Sequence, residues 1–325
     1  MKTLIVGAGA ICDRWLRVIG EDARLSVCGI VDPNRRAAEQ ARDRHHLDAL
    51  CFGTLSDALA ASAAQACVNL TPPAEHAKVT RAALEHGLHV LTEKPLATKL
   101  SDACSLADLA RQRGLKLGVM RNRGNDPHLA AFRTALTEHQ VTPPYLITAT
   151  TAVRIRDAGF RAMTPFPATT DLAIHGFDQV LQLIDARPLQ VTSTELLTGF
   201  LGPHSSMATI TVSFADGSVL SYRCGFASPA MPTNANGHWQ VEGAHGAGRW
   251  DGADHALIAA ETGATTLTFA ACEPSYRTNI RSMIDNLVGG PSDLDLSKAL
   301  SSVALLDAAI ASNTAQGFAV QVQEP

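Results

Sequence analysis

Up to about residue 122 the chain repeats one unit: a short apolar run rich in β-branched residues, a turn, then a helical stretch. The runs lie at Lys2–Val6, Ser26–Val31, Ala49–Phe52, Ala66–Leu70, His89–Thr92 and Leu115–Met120. They are nearly continuous in apolar character, as strands covered on both faces must be. Between them, segments near 10–19, 34–45, 55–62, 74–86 and 101–113 read as helices. Thr54-Leu55-Ser56-Asp57 resembles a capping box, Ser101 can cap, and Gly87 and Gly114 stand where helices end. Strict β/α alternation restricts such a stretch to an open, mostly parallel, doubly wound sheet.

The remainder has a different grammar. After a helix near 126–139 and the breaker Pro143-Pro144 comes a Thr-rich strand, Tyr145–Arg154, and a helix near 170–185. Strands at Gln190–Leu197, Ala208–Phe214, Ser218–Phe226, His238–Glu242 and Thr265–Ala271 follow in hairpin-like order, with Asp216-Gly217 as a strong turn signal. Helices near 276–289 and 297–315 close the chain. The expected division is therefore an α/β domain over 1–122 and an α+β domain over 123–325, built on a mainly antiparallel open sheet. A length of 325 residues agrees, because a single core seldom grows past about 250–300 residues.

Composition removes several classes of function. Lys+Arg number 27 against 31 Asp+Glu, a net charge of −4 without like-charge blocks, so no electrostatic footprint for nucleic acid or an anionic membrane is expected. No apolar run reaches the ~18 residues of a membrane span. The start, Leu4-Ile5-Val6 up to Cys12, reads as a buried strand and turn and not as a secretion signal. Cys12, Cys28, Cys51, Cys67, Cys104, Cys224 and Cys272 are scattered, odd in number and free of C-x-x-C pairs, which suits reduced thiols in a cytoplasm and no metal site.

Chemistry-bearing residues gather where strands end. The first strand runs into Gly7-Ala8-Gly9-Ala10-Ile11-Cys12, one step from the dinucleotide fingerprint, and Asp32 ends the next strand. Gly7 permits the tight turn and Gly9 the approach of a pyrophosphate, while an acid at Asp32 accepts ribose hydroxyls and repels a 2′-phosphate. That pattern favours NAD; Arg35 and Arg36 leave NADP open. Thr71-Pro72-Pro73, Glu93-Lys94-Pro95 and Arg121-Asn122-Arg123 follow three further strands, on the edge where ligands of such sheets bind. Each has an ordinary alternative as loop punctuation or surface charge, Lys94 paired with Glu93 among them. In the second half Asp171, His175 and Asp178 share one face of the helix near 170–185, opposite Leu172, Phe177, Val180, Leu181, Leu183 and Ile184. Pattern alone modestly favours a helix lying on a core with that polar face wetted. The functional alternative is a base oriented by a carboxylate one turn away.

These motifs, in this order, resemble the glucose–fructose oxidoreductase / inositol dehydrogenase (Gfo/Idh/MocA) family: Gly7-x-Gly9, Val31-Asp32-Pro33-Asn34, Thr71-Pro72-Pro73-x-x-His76, Glu93-Lys94-Pro95 and Asp171-x-x-x-His175-x-x-Asp178. Val241-Glu242-Gly243 and Phe318–Val322 extend the likeness along nearly the whole chain. The resemblance implies a Rossmann domain and a second domain whose open sheet supports homodimers or homotetramers. It implies NAD(P)-dependent hydride transfer on a secondary alcohol or ketone of a sugar, polyol or related small molecule. The cofactor would be met by Gly7, Gly9, Ala10, Ile11, Asp32, Thr71, Pro72, His76, Glu93, Lys94 and Asn122. By the same resemblance Lys94, Asp171 and His175 are catalytic, with His175 moving the proton, and Arg123 joins them on the substrate. The peptide before Pro95 is often cis in such proteins. Cys12, Trp15 and Thr169-Thr170 depart from the family pattern, the last beside the substrate pocket. Other readings of the same fold are a non-catalytic nucleotide-sensing regulator, an imine reductase and an NAD-assisted glycosidase. His238 and Trp239 are further pocket candidates, and Arg154 and Arg156 face either a substrate anion or, more in keeping with their alternation, a solvated or subunit-contact face.

Overall fold

Six apolar runs become six strands because each can bury both faces under helices. The computed structural model describes residues 1–154, 159–197, 205–226, 232–261, 263–290 and 296–325. Strands β1 (Lys2–Val6), β2 (Ser26–Val31), β3 (Leu50–Phe52), β4 (Ala66–Asn69), β5 (His89–Thr92) and β6 (Leu117–Val119) alternate with helices α1 (Cys12–Ile19), α2 (Arg35–Arg44), α3 (Leu55–Ala61), α4 (Pro73–Glu85) and α5 (Leu100–Gln112). The sheet order is β3-β2-β1-β4-β5-β6, parallel throughout. The order reverses beside β1, so the crevice for a ligand opens at the carboxyl ends of β1 and its neighbours. Thr54 caps α3 by accepting from the Asp57 N–H at 3.2 Å, as the sequence predicts.

By contacts the chain divides into two units. The first is Met1–Met120 together with Tyr276–Leu300; the second is Arg121–Ser275 with Ser301–Pro325. The first boundary lies two residues before the one read from the sequence, but Tyr276–Leu300 returns to the first unit. The reason is apolar: Ile280, Met283, Ile284 and Leu287 enter the core made by Ile5, Trp15, Leu16, Ile19, Val27 and Ile30. Periodicity marks a helix with an apolar stripe there without saying which sheet receives it.

The second unit opens with α6 (Pro127–Glu138) and β7 (Thr142–Ala152), then a 3₁₀ turn at Gly159–Met163, a π-helical turn at Ala168–Ala173 and α7 (Ile174–Leu183). Strands β8 (Pro188–Leu197), β9 (Ser206–Phe214), β10 (Val219–Gly225), β11 (His238–Ala244), β12 (Gly246–Trp250), β13 (His255–Ala260) and β14 (Gly263–Thr268) come next. Helices α8 (Ser275–Val288) and α9 (Ser297–Thr314) and the short β15 (Val320–Gln321) complete the chain. The nine-stranded order is β14-β13-β12-β11-β7-β10-β9-β8-β15, antiparallel except where β7 meets β10. Asp216-Gly217 makes the expected β9–β10 turn, with Gly217 at φ +87°. Three described strands escaped the sequence reading: β12, β13 and the two-residue β15. Gly246, Gly248 and Gly252 break the pattern of the first two, and Gly248 packs closely, since an added Cβ would lie 2.6 Å from the Leu136 side chain, which would have to shift. Pro143 and Pro144 are not a breaker but the opening of β7; pairing with β10 starts only at Leu146, so their missing donors cost no bond there.

Candidate active site

At the carboxyl edge of the first sheet the Gly7–Cys12 turn takes the form a dinucleotide needs. Gly7 sits at φ +102°, and an added Cβ would lie 2.7 Å from the Leu70 carbonyl, so no other residue fits without movement. Gly9 has no atom within 4 Å of that position, which leaves the backbone approachable from outside. Ala10 is exposed and Ile11 half-buried at the entry to α1, whose first N–H groups receive no side-chain cap. Uncapped amides at a helix N-terminus suit a phosphate. Asp32 accepts from the Ala8 N–H and from the Asn34 N–H, both at 2.8 Å, one on each carboxylate oxygen. Each oxygen keeps a second lone pair for a ribose hydroxyl. These residues fit NAD.

Along the same edge, Asn69 is a buried hub that motif reading missed. Its Nδ2 donates to the His76 carbonyl and to Thr80 Oγ1, and its Oδ1 accepts from the Thr71 N–H and hydroxyl. That fixes the turn at Thr71-Pro72. His76, fully buried, has Nδ1 2.6 Å from the Pro95 carbonyl and Nε2 2.6 Å from the Thr71 carbonyl, so it ties the loop after β4 to the loop after β5. Burial pulls its pKa below the usual imidazole value, against the two carbonyls. The Lys94–Pro95 peptide is cis and Lys94 is half-buried. Glu93 is not a surface partner: its buried Oε1 accepts from Trp15 Nε1 at 2.9 Å and from the Tyr276 hydroxyl. Trp15, unusual for the resemblance, is thereby explained as a buried donor in this unit. Burial also pushes the Cys12 and Cys67 thiols up to about 12, and all seven cysteines are free thiols.

In the second unit Asp171 lies in the π-helical turn and His175 in the first turn of α7. The expected wetted face is absent: Asp171, His175 and Asp178 are buried at 5%, 5% and 2% exposure. Buried carboxylates need partners, and the sequence had not supplied them. Arg161, from the 3₁₀ turn, gives Nε at 2.7 Å and an Nη at 2.6 Å to Asp171 Oδ2. Its guanidinium also lies over the Phe160 and Phe226 rings. Arg121 Nε donates to Asp178 Oδ1 at 2.9 Å and the Ser302 hydroxyl donates to the same oxygen. Asp178 is thus an anchor, separate from the pair above it. The helix start is held by Glu195 of β8, which accepts from the Ala168 N–H, the Thr169 N–H and the Thr169 hydroxyl. Nothing in the spacing announced Arg161 or Glu195, whose partners come from separate elements.

Arg123, half-buried, donates to the Ala235 carbonyl. Burial lowers its pKa, with Tyr222 and Asp171 pulling the other way, so those groups lie within electrostatic reach of it. Tyr222 packs on Gly176, where an added Cβ would come within 2.4 Å of the ring. Asn122, read from the sequence as a cofactor contact, falls in the second unit and is half-buried. His238 and Trp239 point to opposite faces of their strand. Trp239 stacks on Tyr222, and both His238 and Trp239 line a cavity of about 480 Å³ with Thr148, Thr150 and Arg249. Arg154 is exposed, and Arg156 lies outside the described residues.

Residues 1–121 match the model of an oxidoreductase family described by its NAD-binding Rossmann fold. Over these 121 residues of 325 the chain is similar to the Gfo/Idh/MocA family. Among curated relatives, inositol 2-dehydrogenase of Corynebacterium glutamicum is 26% identical over 59% of this chain and 56% of its own length. UDP-N-acetylglucosamine 3-dehydrogenase of Acidithiobacillus ferrooxidans is 27% identical over 67% of this chain and 65% of its own. The chain therefore spans between about half and two thirds of these two relatives. An Agrobacterium radiobacter oxidoreductase, solved with NAD⁺, L-tartaric acid and magnesium, superposes with a TM-score of 0.83 at 17% identity, covering 99% of this chain and 98% of that one. That likeness is one of fold, and it covers both units. No described helix is long and apolar enough to cross a membrane.

Proposed function

We propose that this protein is an NAD-dependent dehydrogenase or reductase that moves hydride between nicotinamide and a secondary alcohol or ketone of a sugar, polyol or related small molecule. The observation that carries the reading is Asp32, whose two oxygens hold the Ala8 and Asn34 amides and each keep a second lone pair for a ribose hydroxyl. Inositol and UDP-N-acetylglucosamine, in the names of the two curated relatives, support a polyhydroxylated substrate. Bound NAD would supply the hydride acceptor.

His175 takes the hydroxyl proton in oxidation and returns it in reduction. Asp171 stands one turn away; because Arg161 holds its Oδ2, it pulls less on a neighbouring proton than a lone carboxylate would. That arrangement lets the imidazole give the proton up again. Lys94 supplies positive charge for a developing alkoxide, and Arg123 contacts substrate. Asn69 and His76 keep the two loops of the cofactor edge in place.

The first experiment is calorimetric titration with NADH and NADPH separately, followed by a polyol and sugar screen with the tighter nucleotide. Preference for NADH supports Asp32 as the ribose anchor. Preference for NADPH transfers that role to Arg35 and Arg36. Failure to bind either overturns the proposal. His175→Ala is expected to lower turnover by about 10²–10⁴-fold while NADH affinity stays within a factor of a few; full turnover in that variant removes the proton-transfer assignment.

A further inference from the structure

Two of the arginines of the second unit, Arg161 and Arg121, meet buried carboxylates of the segment that carries His175. Arg161 is matched by Asp171 and Arg121 by Asp178, both across short contacts. Arg123 has no carboxylate partner among the described residues; its one hydrogen bond runs to a backbone carbonyl. It is set deep enough for burial to lower its pKa, and it senses Asp171 and the phenol of Tyr222. Yet part of its surface stays open. A guanidinium taken this far out of water without an anion costs free energy, and such a cost is offset when an anion arrives. A second set of donors lies nearby. Arg161 spends Nε and one Nη on a single oxygen of Asp171, so its other Nη is not used in that pair.

Resting on the proposed oxidoreductase reading, we infer that the substrate of this site is an anionic hydroxy compound, whose carboxylate or phosphate group is received by Arg123. Neutral polyols lack the group that Arg123 requires. The planar guanidinium binds either oxyanion in the same two-point fashion. The anion sits on the substrate and not on the nucleotide.

The test uses the full chain loaded with NADH. Calorimetric titration with malonate, with inorganic phosphate and with glycerol reads the anion site without a chosen sugar. Binding of malonate or phosphate in the millimolar range, with glycerol silent, is expected; the stronger of the two tells carboxylate from phosphate substrates. Arg123→Met should weaken that anion at least about tenfold, and Arg123→Lys, which keeps the charge, by less. In parallel, NAD⁺-linked oxidation of glucose, glucuronate and glucose 6-phosphate should favour an acid over the neutral sugar by about tenfold or more in kcat/KM. Absence of anion binding, or anion binding unaltered in Arg123→Met, overturns the inference. So does an Arg123→Met variant that loses NADH affinity as fully as anion affinity, since the anion served would then be the nucleotide's. If neutral polyols are oxidised as well as acids, the inference falls and the oxidoreductase reading stands. If anions bind through Arg123 and no alcohol is oxidised, the reverse holds.

Discussion

Asp32 joins local structure to ligand choice. Its carboxylate holds Ala8 and Asn34 by their amides, so the loop shape and the negative charge that repels a 2′-phosphate come from the same atoms. Asp32→Asn keeps one oxygen and removes the charge. NADH affinity is expected to fall about ten- to hundredfold, the range of a charged hydrogen bond, and discrimination against NADPH to shrink; calorimetry with both nucleotides measures each. His76 makes a different prediction. A neutral imidazole owns one N–H, while two carbonyls stand at its two nitrogens. Its folded pKa is nevertheless lowered, chiefly by burial, and burial lowers that of His89 as well. The unfolded chain then binds more protons below its ordinary histidine value of about 6.5. Stability is fully present above that pH and is lost as pH falls toward the lowered folded values. Melting temperature followed from pH 7.5 down to about 5.5 should decline in the wild type and decline less steeply in His76→Asn. Asp32 and Lys94 could be read from one strand end each. Asn69 could not, because its bonds to His76 and Thr80 are meaningful only once β4 and α4 have packed.

At the scale of elements, the segment 168–183 departs most from its pattern. The alternation of polar and apolar positions suggested one dry face and one wet face. The segment is buried almost throughout, because β10 covers one side and ion pairs satisfy the other. Its tightest constraint is Gly176 against the Tyr222 ring. Gly176→Ala should destabilise the chain by about 1–3 kcal/mol, the usual cost of overpacking, despite the better helix propensity of alanine. Urea unfolding measures this, and adding Tyr222→Leu should recover part of the loss. Equal stability of Gly176→Ala and wild type would mean the ring moves freely. The mechanism of Glu195 is simpler: a carboxylate from β8 takes amides at the start of the π-helical turn that carries Asp171.

For the whole molecule the decisive feature is that Tyr276–Leu300 belongs with Met1–Met120. Tyr276 completes the buried bonds of Glu93 and Trp15, and Ile280, Ile284 and Leu287 are wholly enclosed in the same core. A fragment of residues 1–122 would expose that apolar surface and leave Glu93 and Trp15 without the phenol. It is expected to lose cooperative unfolding or to melt well below the full chain, read by near-ultraviolet circular dichroism. A fragment as stable as the full chain would contradict this account. Local sequence by itself determined the β/α alternation, the glycine turn with Asp32, the Lys94-Pro95 loop and the placement of Asp171 and His175 one turn apart on one segment. Each depends on spacing within a single turn or a single strand end, where backbone geometry leaves few choices. Tertiary structure alone decided which donor meets which carboxylate: Arg161 with Asp171, Arg121 with Asp178, the Tyr276 hydroxyl with Glu93. Those partners lie 10, 57 and 183 residues apart. The requirement that a buried charge find a partner is strict, but it names no partner until the chain has closed around it.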